Sequence, residues 1–221
     1  MIQKKLTRNN IILLICLLIF ILFSPTLSVY RKLIQNIIFT AIIISGIFSL
    51  DFSSKTRRIL IASGAITIGL DWVYHIFSYE LLGLVFFISF FSFNVFITVF
   101  MIRHIARSKH VTLTIIINSI NGYLLIGILG SVLLVMSEIL EKYVLRLDTT
   151  AINFGGKAAE GFHDFLYFSF VTLTTLGYGD ITPVSSYAKS ITIIIAVTGQ
   201  LYLTILIAIL VGKYLSNPEK R

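Results

Sequence analysis

The sequence predicts an all-α membrane protein with six transmembrane helices and a shorter re-entrant helix between the fifth and the sixth. Three observations carry this. Only 13% of the 221 residues are charged, against about 25% in a soluble domain, which leaves too little polar surface for a water-facing globule. The mean hydropathy is +0.94, with 57% of residues in the hydrophobic set. Six apolar stretches, at residues 10–27, 33–50, 59–76, 81–102, 111–139 and 188–214, are each long enough to cross about 30 Å of hydrocarbon at about 1.5 Å per residue.

The first stretch follows Lys4, Lys5 and Arg8 and resembles a secretory leader in outline. No small-x-small cleavage site follows it (Ser24-Pro25-Thr26-Leu27), so an uncleaved first helix is expected. Placing the N-terminus in the cytoplasm puts Lys4, Lys5, Arg8, Lys55, Arg57, Arg58, Arg103, Arg107, Lys109, Lys213, Lys220 and Arg221 inside, with only Asp51 and Glu219 among the acids. The cytoplasmic sum is then +10 and the outer sum −2. Basic residues favour the cytoplasmic side, so both termini are expected there, in the plasma membrane. Arg31 and Lys32 run against the trend.

The net charge is +8, yet the charges sit at the ends of apolar runs and not along one polar face. That pattern orients a membrane protein and does not suggest a nucleic-acid partner. Cys16 is the only cysteine and the four histidines are scattered, so neither a disulfide framework nor a metal cluster is expected. No nucleophile, base and orienting group occur together, which argues against an enzyme.

In the third stretch Asp71, followed by Trp72 and Tyr74, reads as an interface anchor. In the fifth, Asn118 and Asn121 are expected to hydrogen-bond between helices. Glu138 and Glu141 close that stretch and, with Glu160 and Asp164, are expected to form a solvated acidic rim. Residues 162–174 are apolar over only 13 positions, a length that suits a buried or re-entrant helix better than a span.

Directly after that short stretch comes Thr172-Leu173-Thr174-Thr175-Leu176-Gly177-Tyr178-Gly179-Asp180. It resembles the signature of the potassium channel superfamily, closely over residues 162–212 and in outline before them. The resemblance implies a pore helix at 162–174 and a selectivity filter after it. A potassium ion sheds its water only where a ladder of oxygens replaces it. Glycines at 177 and 179 allow positive φ, which turns successive carbonyls toward one axis. By resemblance the carbonyls of Thr175, Leu176, Gly177 and Tyr178, with the Thr175 hydroxyl, are the K+ sites, and Gly179 completes the filter. Leu176 stands where valine is commoner. No organic cofactor is implied. One chain has one such strand, so a homotetrameric pore embedded in lipid is expected.

The resemblance also assigns supporting residues. Thr174 flanks the filter and the Thr172 hydroxyl is expected to meet Tyr178. Many members brace the aspartate after the filter from the pore helix. The positions taken as matching, Phe168 and Val171, cannot donate a hydrogen bond, so Asp180 is expected to be freer to reorient or bind water; the alternative is that other groups hold it. Gly199 lies 22 residues after Gly177, at the spacing of the family's inner-helix hinge; close helix packing is the alternative role. Gln200, Leu203 and Ile207 are expected to face the cavity below the filter.

Six spans with a filter before the last also resemble voltage-gated channels, whose fourth helix carries regularly spaced basic residues. Here residues 81–102 contain none. Residues 1–110 are therefore expected to form a four-helix domain without gating charges, and 111–221 the pore domain. The seven residues after Tyr214 are too few for a ligand-sensing domain, so opening is expected to depend on the pore, the membrane or a separate regulatory subunit. The expected function is passive potassium conduction without steep voltage gating; a non-conducting, modulatory subunit is the alternative.

Overall fold

The computed structural model describes residues 2–23, 31–108, 110–147, 150–156, 159 and 161–215, without the side chains of 2–5, 31 and 32. The segment 24–27 and the residues Lys109, Lys157, Glu160, Glu219, Lys220 and Arg221 lie outside the described residues.

The described chain is helical almost throughout. Its elements are α1 (Ile2–Phe23), α2 (Arg31–Phe48), α3 (Ser54–Phe77), α4 (Glu80–Arg107), α5 (Leu113–Ile139), α6 (Phe162–Leu173) and α7 (Ser186–Leu215). The last helical turn after α5, Leu140–Val144, widens to π geometry. The departure from an all-α fold is a pair of two-residue strands, β1 (Ile152–Asn153) and β2 (Thr182–Pro183), antiparallel with Ile152 opposite Pro183.

Among the described residues, five helical segments are long and apolar enough to cross a membrane: Leu6–Phe23, Ser54–Phe77, Glu80–Arg107, Leu113–Val144 and Ser186–Leu215. The apolar part of α2, Leu33–Phe48, is shorter, because α2 begins on Arg31 and Lys32 and is only 18 residues long. The protein is an integral membrane protein.

Local signals set the ends of these helices. Ser53 caps α3 by accepting from the Thr56 N–H at 3.2 Å, which satisfies one of the donors a helix start leaves open. Ser78, at φ 48°, ends α3 in the left-handed region and donates its N–H to the Tyr74 carbonyl. Thr112 caps α5 by accepting from the Ile115 N–H.

The buried residues of α3 are Leu60, Gly64, Thr67 and Asp71, a single stripe at helical spacing. The rest of that helix faces outward, with Ile59, Ile66, Ile76 and Phe77 more than half exposed, as a lipid-facing surface allows. By contrast α5 is buried along most of its length. The sequence-expected asparagine contacts are present on it. Asn121 Nδ2 donates to the Asn10 carbonyl at 3.0 Å, and Asn118 Nδ2 meets His104 Nδ1 at 3.3 Å.

A cluster of phenylalanines joins α1, α2 and α4 to α6. Phe39 of α2 packs edge-on against Phe90 of α4 at 4.7 Å and against Phe162 of α6 at 5.5 Å between ring centroids. Phe20 of α1 lies 5.1 Å from Phe39 and 5.7 Å from Phe162. Such offset and edge contacts suit the ring quadrupole. At the other end of the bundle, Lys213 of α7 donates from Nζ to the last carbonyls of α4, those of Ile105 and Ala106. A cation on a helix C-terminus meets the negative end of the dipole.

Candidate functional site

The site is the chain from Thr174 to Asp180, and α6 positions it. The helix is 12 residues long with Asp164 in its first turn, where a carboxylate favours the positive end of the dipole. It seats in α5 by backbone approach. A Cβ on Gly127 or Gly130 would collide with the Phe170 ring or the Ser169 hydroxyl, and Ser169 Oγ donates to the Gly127 carbonyl at 2.7 Å. Small residues let membrane helices come this close. The Gly-x-x-Gly spacing on α5 is the signal that could have revealed this seat from the sequence.

Beyond Leu173 the chain reverses over the end of α6. The Val171 carbonyl accepts the N–H of Leu176 at 3.0 Å and of Gly177 at 3.3 Å. The Thr172 carbonyl accepts the Thr175 N–H at 3.0 Å. The Thr174 hydroxyl donates to the Phe170 carbonyl at 2.7 Å. Helix-end carbonyls that would otherwise lack partners are thereby used to hold the segment. Val171 thus supports it through its backbone.

Positive φ recurs at every second residue: Thr175 at 60°, Gly177 at 56° and Gly179 at 80°. Alternation of left-handed residues with ordinary ones turns successive carbonyls to one side of the strand, where a regular extended strand would alternate them. Nothing lies within 4 Å of a Cβ built on Gly177 or Gly179, so conformation, not crowding, is what calls for glycine there. Thr175 adopts the same region despite its branched Cβ, a strain usually found at functional positions. Its hydroxyl donates to the Thr174 carbonyl at 2.6 Å.

Every residue from Thr174 to Asp180 is exposed in the single chain. Leu176 is 55% and Tyr178 66% exposed, and among the described residues the Tyr178 hydroxyl makes no bond to Thr172. The expected contact is absent because Tyr178 stands on the open face of the subunit, away from the half-buried Thr172.

The expectation that Asp180 is free to reorient is corrected. Tyr167 Oη donates to Asp180 Oδ2 at 2.7 Å. This bond pushes the Tyr167 phenol up to about 12, since the neutral form is the donor. Phe168 and Val171, named from the sequence as the matching positions, are buried in the core at 5% and 7% exposure. The donor sits one residue earlier on α6, at a tyrosine.

Of the described acidic residues expected to form a solvated rim, Glu141 is buried and Glu138 and Asp164 are half-buried. Glu141 is 1% exposed and its Oε1 accepts from the Ser185 hydroxyl at 2.7 Å. Ser185 Oγ also accepts the Ala188 N–H at 3.0 Å, at the start of α7. Glu138 Oε2 accepts the Ala151 N–H at 3.0 Å, and the Ala151 carbonyl accepts the Val184 N–H at 2.9 Å. Together with the β1–β2 pair these bonds frame both ends of the loop that carries the segment. Asp164 lies 3.3 Å from His163 Nε2.

On α7, Gly199 crosses the end of α6 so closely that a Cβ there would collide with the Leu173 carbonyl oxygen. The helix runs unbroken through it. Gln200 and Ile207 are exposed and Leu203 is half-buried, on a helix whose apolar surface is mostly open in one chain.

The elements that frame the segment are also those that known proteins share. A family described as Ion channel matches residues 124–216. Over 67 residues the chain is 42% identical to "Two-pore potassium channel 4" of Arabidopsis thaliana, a stretch that is 30% of this chain and 24% of that relative. The chain therefore aligns with about a quarter of that relative's length. No solved structure matches the chain.

Proposed function

From the match of residues 124–216 to a family described as Ion channel, we propose that the chain is one subunit of a homotetrameric, potassium-selective channel of the potassium channel superfamily. The observation that carries this is the Thr175-Leu176-Gly177-Tyr178-Gly179 strand, with positive φ at alternate residues and an open face toward which carbonyls can turn. Four such strands around one axis offer stacked rings of oxygens from Thr175, Leu176, Gly177 and Tyr178, with the Thr175 hydroxyl below. A potassium ion, the cargo, exchanges its water for these oxygens and moves between neighbouring rings.

In this reading α6 is the pore helix and ends beneath the filter, so the negative end of its dipole favours a cation there. The other spans are α1 to α5 and α7, with α2 the shortest, and both termini are cytoplasmic at the plasma membrane. Gln200, Leu203 and Ile207 line the cavity, and Gly199 serves close packing with α6 as well as any bending of α7. Residues 1–110 form a four-helix domain without gating charges and 111–221 the pore domain. That Arabidopsis thaliana relative is named for two pores; this chain has one filter strand, so four copies complete a ring.

Native mass analysis of the purified protein, with K+ and Na+ efflux from vesicles, tests this. A tetramer that releases K+ and retains Na+ is expected. A monomer, or equal efflux of the two ions, contradicts it.

A further inference from the structure

The four-helix half contains a carboxylate that the conduction pathway does not use. Asp71 lies on the single buried stripe of α3 and is 2% exposed, and its Oδ2 has no hydrogen-bond partner. Among the described residues no basic side chain forms an ion pair with it. A bare carboxylate in so apolar a setting is strongly unfavourable, and an ionisable group inside a membrane bundle calls for a compensating partner.

Hydroxyl groups lie one helical turn from it and on the neighbouring helices. Thr67 is one turn away on the same stripe, and residues four apart on a helix are neighbours. Thr67 Oγ1 donates to the Ser63 carbonyl at 2.9 Å, so in its 2.6 Å contact with Ser89 the Ser89 hydroxyl is the donor. Both hydroxyl oxygens keep lone pairs. On α2, Asn36 and Thr40 lie one turn apart, and Asn36 Nδ2 and Thr40 Oγ1 are buried without partners. Asn36 is five residues from the start of α2 and Asp71 six from the end of α3, which places them at matching depth, about 8–9 Å from the helix ends at 1.5 Å per residue.

The other titratable groups near this layer are few. On α3 they are Tyr74 and His75, and on α4 Glu80, with no further charged residue on that helix before Arg103. Arg31 and Lys32 begin α2, and Lys142 and Tyr143 lie on the π turn packed against α4. Among those whose side chains are described, none is within ion-pair distance of Asp71.

We propose that Asp71 is the centre of a small monovalent-cation site inside the four-helix half, which takes a proton or an alkali-metal ion beside the Thr67 and Ser89 oxygens. Filled, the site lets α3 stay seated on α2 and α4. Emptied, it leaves an uncompensated charge on the one face of α3 that packs. The inference does not rest on conduction and is tested without it.

Trp72, the only tryptophan, adjoins Asp71 and reports on the site. Thermal unfolding of the full chain in lipid nanodiscs is followed by Trp72 emission in two arms. One lowers pH from about 8 to about 5 with no alkali ion present; the other adds sodium or potassium chloride at about pH 8, because a ligand that binds only the folded state raises the midpoint. His75, whose ring lies 6.3 Å from Trp72, is controlled with His75→Gln. A midpoint that rises in either arm, persists in His75→Gln and is flat in Asp71→Asn supports the site, and the responding arm names the ion. A response that is the same in Asp71→Asn, is lost in His75→Gln, or is missing from both arms overturns it. Should Asp71→Asn not fold, the infrared carboxyl bands of the His75→Gln protein decide. A protonated-carboxyl band lost as pH rises, or a sodium-induced carboxylate shift, supports the site; neither overturns it.

Discussion

Tyr167 reaches from α6 to Asp180 and donates a 2.7 Å hydrogen bond to its carboxylate, across the back of the candidate filter. A hydrogen bond to a charged group contributes about 1.5–3 kcal/mol, and about 1.4 kcal/mol is a tenfold change in an equilibrium. Tyr167→Phe removes the donor and keeps the ring. Current loss during sustained opening should then change about tenfold or more, read in reconstituted channels. Phe168→Trp should restore nothing, because Phe168 is buried at 5% exposure; it should only lower stability, by about 1–3 kcal/mol through overpacking. An unchanged rate in Tyr167→Phe would remove the brace from the account.

The same bond has a pH signature. Its folded-state value near 12 lies above the usual tyrosine value of about 10. Its stabilisation is therefore complete below about 10 and is lost as pH rises toward 12. Between about pH 6 and 9 the Tyr167 bond should add no pH dependence to current loss. A difference between wild type and Tyr167→Phe that fades within that range would contradict it.

How much of this was legible in the sequence differs between elements. The positive φ at Gly177 and Gly179 was, since glycine permits it; Thr175 in the same region was not, as branched residues rarely adopt it. The short length of residues 162–174 and the lack of lysine and arginine in α4 before Arg103 were also visible. The Tyr167 brace was missed because the Gly-x-x-Gly spacing marks a seat on α5 but not the rotation of α6 within it, which decides which residue of α6 looks at Asp180. Glu138 and Glu141 were misread as solvated because their burial depends on Ala151 and Ser185, distant in sequence.

Gly199 distinguishes packing from bending. Its Cβ position is occupied by the Leu173 carbonyl, so Gly199→Ala must push α7 away from α6. Lower thermal stability and a disturbed filter are expected together. A variant with wild-type stability and filter behaviour that only fails to open would favour a pure hinge.

The Glu141–Ser185 bond frames the loop after the filter. Ser185→Ala leaves a carboxylate that is 1% exposed without its donor and also removes the cap of α7. A loss of about 1–3 kcal/mol is expected for the unsatisfied group, visible in thermal unfolding of the purified protein. Glu141→Gln, which keeps an oxygen acceptor, should lose less. Equal, negligible losses in both would show that the frame contributes nothing.

Voltage response follows from α4. Moving one charge through 100 mV supplies about 2.3 kcal/mol, and α4 has no lysine or arginine before Arg103. A shallow conductance–voltage relation is expected, and neutralising Arg103 and Arg107 should leave its slope unchanged. A relation that needs several gating charges per channel would contradict this.

The central claim is potassium selectivity at Thr175–Gly179, and the reversal potential of the reconstituted protein tests it most directly. With K+ on one side of a bilayer and Na+ on the other, the account predicts reversal far toward the potassium equilibrium value, with Gly177→Ala abolishing the selective current. Reversal near zero in the wild-type protein would contradict it.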